Sequence, residues 1–120
     1  MISANDVLQT ISEIHQYSML LIELKNATTV VIQHSTDGTM NYFKLEGSLN
    51  APERASLARS APKSGRLTHL RTLTIGELID ELEGQRAHHI WLEAMGHDRK
   101  EHGFLSIAEL KAFLRTNPHR

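Results

Sequence analysis

Val7, Leu8, Ile11 and Ile14 recur at helical spacing behind Ser3, Asn5 and Asp6, which supply a capping hydroxyl and an early acidic group. The pattern predicts a first helix over residues 4–16. The following segment, 17–25, holds the nearly unbroken apolar run Leu20, Leu21, Ile22 and Leu24. A heptad-like stripe through Val7, Ile14 and Leu21, joined by Tyr17 and Leu24, would let the helix continue to Asn26. A strand is the better reading, because the longer helix would be apolar nearly all round, whereas a buried strand accepts such a run. Thr28 to Ile32 are β-branched throughout, and Asp37-Gly38 then offers the positive-φ geometry of a tight turn. The return strand over 40–46 alternates Phe43 and Leu45 with Lys44 and Glu46, and Gly47 ends it.

From Ser48 to Gly65 the chain turns to Ala, Ser, Pro and Arg, a basic loop with one short helix behind Asn50 as cap and Pro52 in its first turn. Alternation over 67–73 predicts a fourth strand. Two segments then echo each other, 73–78 and 105–110, each a capping box in which Thr74 or Ser106 faces Glu77 or Glu109. Convergent capping explains the echo better than duplication does. The first box opens a helix with Ile75, Leu78, Ile79 and Leu82 that stops at Gly84, and the second opens one with Ile107, Leu110, Phe113 and Leu114 that stops before Pro118. Between them, residues 87–95 place Ile90, Trp91, Ala94 and Met95 at helical spacing before Gly96, so a further helix is expected there.

The expected fold is α+β: a small, mainly antiparallel sheet of about four strands packed against N-terminal and C-terminal helices, with residues 1–120 forming a single domain. Length agrees, since 120 residues suit one hydrophobic core. There is no cysteine, which removes disulfides, thiolate metal sites and thiol catalysis. The first fifteen residues lack a basic segment leading into an apolar one, and the longest apolar run is 19–22. Neither a targeting signal nor a membrane span is expected, which makes a cytoplasmic location the default.

Chemical motifs are sparse. The seven glycines never cluster into a phosphate cradle, and no GxSxG elbow appears, so no cofactor is expected. Residues 98–109 resemble an EF-hand loop at Asp98, Gly103, Leu105 and Glu109, but Lys100 and His102 stand where calcium needs oxygen ligands. A polar turn before a capping box is the expectation there. His88, His89, His97 and His102 gather near Glu93 and Asp98, and on a helix His89 and Glu93 would share a face, with His97 or His102 as a third zinc ligand. This is a weak metal candidate. A metal-dependent hydrolase centred on residues 88–102 is accordingly one alternative function.

Charge layout carries more. Formal net charge is −1, yet residues 51–76 hold Arg54, Arg59, Lys63, Arg66 and Arg71 against Glu53 alone, a net +4, while 77–83 hold Glu77, Asp80, Glu81 and Glu83, a net −4. A nucleic-acid-binding module using 54–71 is a second alternative, since flexible Arg and Lys satisfy phosphates. Stacking platforms are missing from that segment, as no aromatic residue lies between Phe43 and Trp91. The leading expectation is a small non-catalytic interaction or regulatory protein that docks on a protein partner, an inhibitor of the kind made by phages and mobile elements, using those five basic residues or the adjoining acidic helix.

Overall fold

A computed structural model describes residues 1–13, 17–35, 37–94 and 100–116. In chain order the elements are α1 (Ala4–Ile11), β1 (Tyr17–Leu24), β2 (Thr28–His34), β3 (Met40–Glu46), α2 (Ala51–Ala58), a 3-10 turn (Gly65–His69), β4 (Arg71–Leu73), α3 (Ile75–Leu82), β5 (Ala87–Ala94), β6 (Glu101–Phe104) and α4 (Ile107–Thr116). The strands form one sheet in the order β4-β3-β2-β1-β5-β6, every neighbouring pair antiparallel. The α+β class is as expected. The sheet has six strands rather than about four.

The apolar run in β1 follows from its central place. Ile22 sits opposite Val30 on β2 and Ile90 on β5, and Leu21 opposite Val31 and Trp91. Both faces of the strand are covered. Leu20, Ile22 and Leu24 turn to the layer of α1, α3 and α4, where Val7, Leu78, Leu82 and Leu110 are fully buried. Met19 and Leu21 turn to α2 and the 3-10 turn, against Leu57 and Leu67. Alternation is lost in such a strand because water reaches neither side.

Local signals behave as local physics requires. In the β2–β3 hairpin the Asp37 carboxylate accepts from the Thr39 amide at 3.0 Å and hydroxyl at 2.7 Å, and Gly38 takes φ +88°. Asn50 and Glu53 complete a capping box on α2, as Thr74 and Glu77 do on α3. On α4 the Ser106 hydroxyl accepts from the Glu109 amide, while Glu109 reaches one residue further back, to the Leu105 amide. Two ion pairs moor α3 to the sheet, Lys44–Glu81 at 2.7 Å and Arg71–Glu77 at 3.1 Å.

Four expectations are corrected. The expected helix over 87–95 is the strand β5. Ile90 and Leu92 enter the core beneath the helices while Trp91 and Glu93 face the other way, a period-2 pattern hidden by the helical spacing of Ile90 and Ala94. Tertiary pairing with β1 decides the conformation, since β1 needs a partner on its second side. The strand expected over 67–73 shortens to Arg71–Leu73, because the chain first closes the 3-10 turn that drops Leu67 into the lower core. The polar turn expected before the capping box within residues 98–109 gives way at Glu101–Phe104 to the edge strand β6, paired with β5 from Ile90↔Phe104 to Glu93↔Glu101. Helix α1 ends at Ile11 with its C-cap on Ser12, short of residue 16. Residues 14–16 lie outside the described residues, as do His97, Asp98 and Arg99.

Helix α2 stops in a Schellman arrangement: the Ala61 amide donates to the Ser56 carbonyl at 3.0 Å and the Ser60 amide to the Leu57 carbonyl at 3.0 Å. Ser60 occupies the left-handed position at φ +54°, where a Cβ is unfavourable. Ser60→Gly is therefore expected to stabilise the protein by about 0.5–1 kcal/mol, the relief of that contact less the greater freedom of glycine in the unfolded chain, read as a higher urea midpoint.

Candidate functional site

Strand β5 carries His89, Trp91 and Glu93 on the face turned toward α2. In register with them stand Glu23 and Met19 on β1, and Gly103 and Glu101 on β6. Helix α2, capped by Asn50 and Glu53, sends Arg54 and Leu57 to the sheet three residues apart. The Arg54 guanidinium donates to both oxygens of Glu101, from Nε at 2.8 Å and Nη2 at 3.1 Å, and from Nη1 to the Leu49 carbonyl at 2.8 Å. Its Cζ lies 3.8 Å from the Trp91 ring centroid. Arg54 is 8% exposed, so this cation is held inside the fold.

Three carboxylates surround it. Glu101 raises the guanidinium's already high pKa by hydrogen bonding, burial opposes this, and the charges of Glu101, Glu23 and Glu93 add to the rise. Glu23 and Glu93 are themselves buried, at 8% and 3% exposure, and Glu23 also accepts from the Trp91 indole Nε1 at 3.3 Å. His89 stacks on Trp91 with centroids 4.1 Å apart and planes 25° from parallel. Its Nε2 is buried without a hydrogen-bond partner among the described residues. Gly103 makes room for the stack, since a Cβ there would lie 2.8 Å from that nitrogen and 3.0 Å from Trp91 Cζ3. The arrangement therefore works as a clamp: guanidinium, indole and carboxylates satisfy one another across α2, β5 and β6.

The sequence-derived residues are not brought together. Arg54 belongs to this clamp. Arg66 pairs with Glu53 at 2.8 Å and Arg71 with Glu77 at 3.1 Å. Lys63 leans over the Phe43 ring, 5.4 Å from its centroid, and Arg59 is exposed; neither makes an ion pair among the described residues. Glu77 and Glu81 are likewise engaged, by Arg71 and Lys44, which leaves Asp80 on α3 and Glu83 at its C-cap without an ion pair among the described residues. Much of the +4/−4 contrast is spent inside the molecule.

The helical premise of the metal candidate does not hold. On a strand, His89 and Glu93 are four residues and roughly 13 Å apart with Trp91 between them, whereas zinc needs each donor at about 2 Å. Among the described residues no three His, Asp or Glu side chains gather to hold a metal ion. His88 is exposed, and His102 lies on the opposite face of the sheet against Phe113. Sequence reasoning missed Glu23, Trp91, Glu101 and Gly103 as parts of one cluster. Glu23 did leave a signal, a lone charge within the apolar run 20–24, and the polar positions 89 and 93 flank Trp91 at strand spacing.

Arg54→Ala is expected to cost about 2–4 kcal/mol, since it leaves carboxylates without their cation, and to change the fluorescence of the sole tryptophan, which lies under the guanidinium. Gly103→Ala should destabilise by about 1–3 kcal/mol through crowding of His89 and Trp91, measured by urea unfolding. Glu53 is held below its ordinary value of 4.5 first by the Arg66 hydrogen bond and then by the Asn50 amide. Its stabilising contribution is full above about pH 4.5 and is lost as pH falls through the lower folded value. Unfolding midpoints measured between neutral pH and about pH 3 should thus fall less steeply in Glu53→Gln than in the parent. No family model, no curated protein and no solved structure matches this chain.

Proposed function

We propose that the protein is a non-catalytic docking module that acts by binding a protein partner through the outer face of α3. The observation that carries this reading is a pair of apolar side chains left in water on successive turns of that helix. Ile75 is 51% exposed and Ile79 36%, although Leu78 and Leu82 on the same helix are fully buried. Single exposed apolar residues are commonplace, but two stacked at i and i+4 form one patch. Asp80 and Glu83, exposed and free of ion pairs among the described residues, flank them. Apolar anchors with an acidic rim suit a partner groove that is apolar in the middle and rimmed by Lys or Arg.

Arg59 and Lys63, on the opposite layer of the sheet, are the cations of the basic segment without an ion pair among the described residues and supply the second half of the charge pattern. Their role is steering, because exposed rim charges act mainly on the rate of encounter. The clamp around Arg54 supports the same reading from another side. Its groups face one another, with their hydrogen-bonding capacity directed inward.

Affinity capture from the native host, followed by binding kinetics with the purified partner, tests the proposal. Ile75→Asp with Ile79→Asp should leave the thermal transition nearly unchanged and weaken binding by about 2 kcal/mol or more. Arg59→Glu with Lys63→Glu should slow association and leave dissociation close to that of the parent. Unchanged kinetics in both variants would remove this surface. Steeply salt-dependent binding to mixed DNA and RNA in place of a protein would overturn the docking reading itself.

A further inference from the structure

The side of β5 that faces away from β1 is interrupted. At one end the Ile2 amide donates to the Gln85 carbonyl at 2.7 Å, and the Gly84 amide to the Ile2 carbonyl at 2.9 Å. The next carbonyl, that of Arg86, turns the other way and accepts from the Lys25 amide at 2.8 Å, so Ile2 and β1 lie on opposite sides of this segment. At the other end β6 begins its pairing with β5 only at Ile90↔Phe104, after which the chain leaves for α4. Between Ile2 and Phe104, no strand lies beside Ala87 and His88 on that side among the described residues. The interruption opens as a groove of about 440 Å³, lined by Ile2, Ala87, Leu105 and Ile107 and by Lys25 and Arg86. Its volume is within the range of ligand clefts.

The walls divide by chemistry. Lys25 and Arg86 are exposed, adjacent through their backbone bond, and without an ion pair among the described residues. The third cation of the groove, Lys111, is already matched by Asp6 at 2.9 Å, a bond that ties α4 to α1. Leu105 is 62% exposed on the wall where β6 stops, an apolar side chain with no cover. Unpaired cations beside uncovered apolar surface and an open strand edge favour an extended peptide with an acidic side chain over a small anion, which would leave the apolar wall in water.

We propose that this groove is a docking slot for an acidic peptide segment of a protein partner, which lies as a short strand beside Ala87 and His88 and sets a carboxylate against Lys25 and Arg86. Main-chain bonds to β5 supply affinity in this mode, and the two cations and Leu105 select the side chains. The slot shares no residue with the outer face of α3, so either surface can fail its test while the other stands.

The test uses isotopically labelled full chain and amide chemical shifts. The probe is a pool of acetylated, amidated tetrapeptides with Asp or Glu at one position and the other three randomised; a matching pool with Lys or Arg, and inorganic phosphate alone, are the comparisons. The acidic pool is expected to shift the amides of Ala87, His88 and Leu105, and the basic pool to leave them in place. Lys25→Glu with Arg86→Glu, both at exposed positions, should keep the thermal transition and weaken the acidic pool's binding about tenfold or more. Rising salt should weaken binding to the parent in the same direction, which tests the charge dependence without any variant. Equal shifts from phosphate and the acidic pool would overturn the peptide assignment in favour of a small-anion site. No shift with any probe, or these shifts appearing only on self-association of the chain as its concentration rises, would overturn the slot as a partner site.

Discussion

One guanidinium ties the second layer of this protein to the β5–β6 side of the sheet. Helix α2 and the 3-10 turn cover only part of the sheet face they pack on, with Leu57 and Leu67 over β1 and β2, while the β5–β6 side of that face is polar. Arg54 spans the gap. It lies on Trp91, grips both oxygens of Glu101 and binds the Leu49 carbonyl at the head of its own helix. With Glu23 and Glu93 buried nearby, the cation cannot be replaced by an apolar side chain of equal volume without stranding negative charge. This dependence reaches into β6, where Gly103 must remain without a side chain so that His89 and Trp91 can lie against the edge strand.

The sheet explains which surface is left uncovered. Burial of β1 on both faces and both edges concentrates the apolar residues at the centre, and the outer elements then serve different ends. At the β3–β4 end, two ion pairs hold α3 in place and use up Glu77 and Glu81, so the outward side of that helix is free to carry Ile75 and Ile79. At the β5–β6 end the four-residue edge strand is too short to cover β5, and Ile2 takes up pairing only beyond a gap. Unpaired strand edge is a liability in general, and here it is short and flanked by Lys25 and Arg86, which discourages non-specific pairing.

Elements set by contacts within a few residues were legible in the sequence. Asn50 as a cap, Thr74 with Glu77, and Asp37 before Gly38 each act over three residues or fewer, and each appears as read; the return bond from Glu53 to Asn50 was not anticipated. The central strand was legible too, from the excess of apolar residues over any helical face. What misled was β5: Ile90, Trp91 and Ala94 satisfy a helical period, and only the neighbouring strand selects the extended form. The same step undid the metal candidate, since His89 and Glu93 converge on a helix and part on a strand.

By itself, then, the sequence determined the α+β class, the helix caps, the hairpin turn and the apolar centre, because capping, turn geometry and hydrophobic excess are written within a few neighbouring positions. Tertiary structure alone decided which charges remain available. Arg54 meets Glu101 across 47 residues and Lys44 meets Glu81 across 37, so a segment that is basic along the chain keeps, among the described residues, Arg59 and Lys63 without an ion pair. Charge pairing acts through space, and the distance that governs it exists only after the sheet has brought α2 over β6 and α3 over β3.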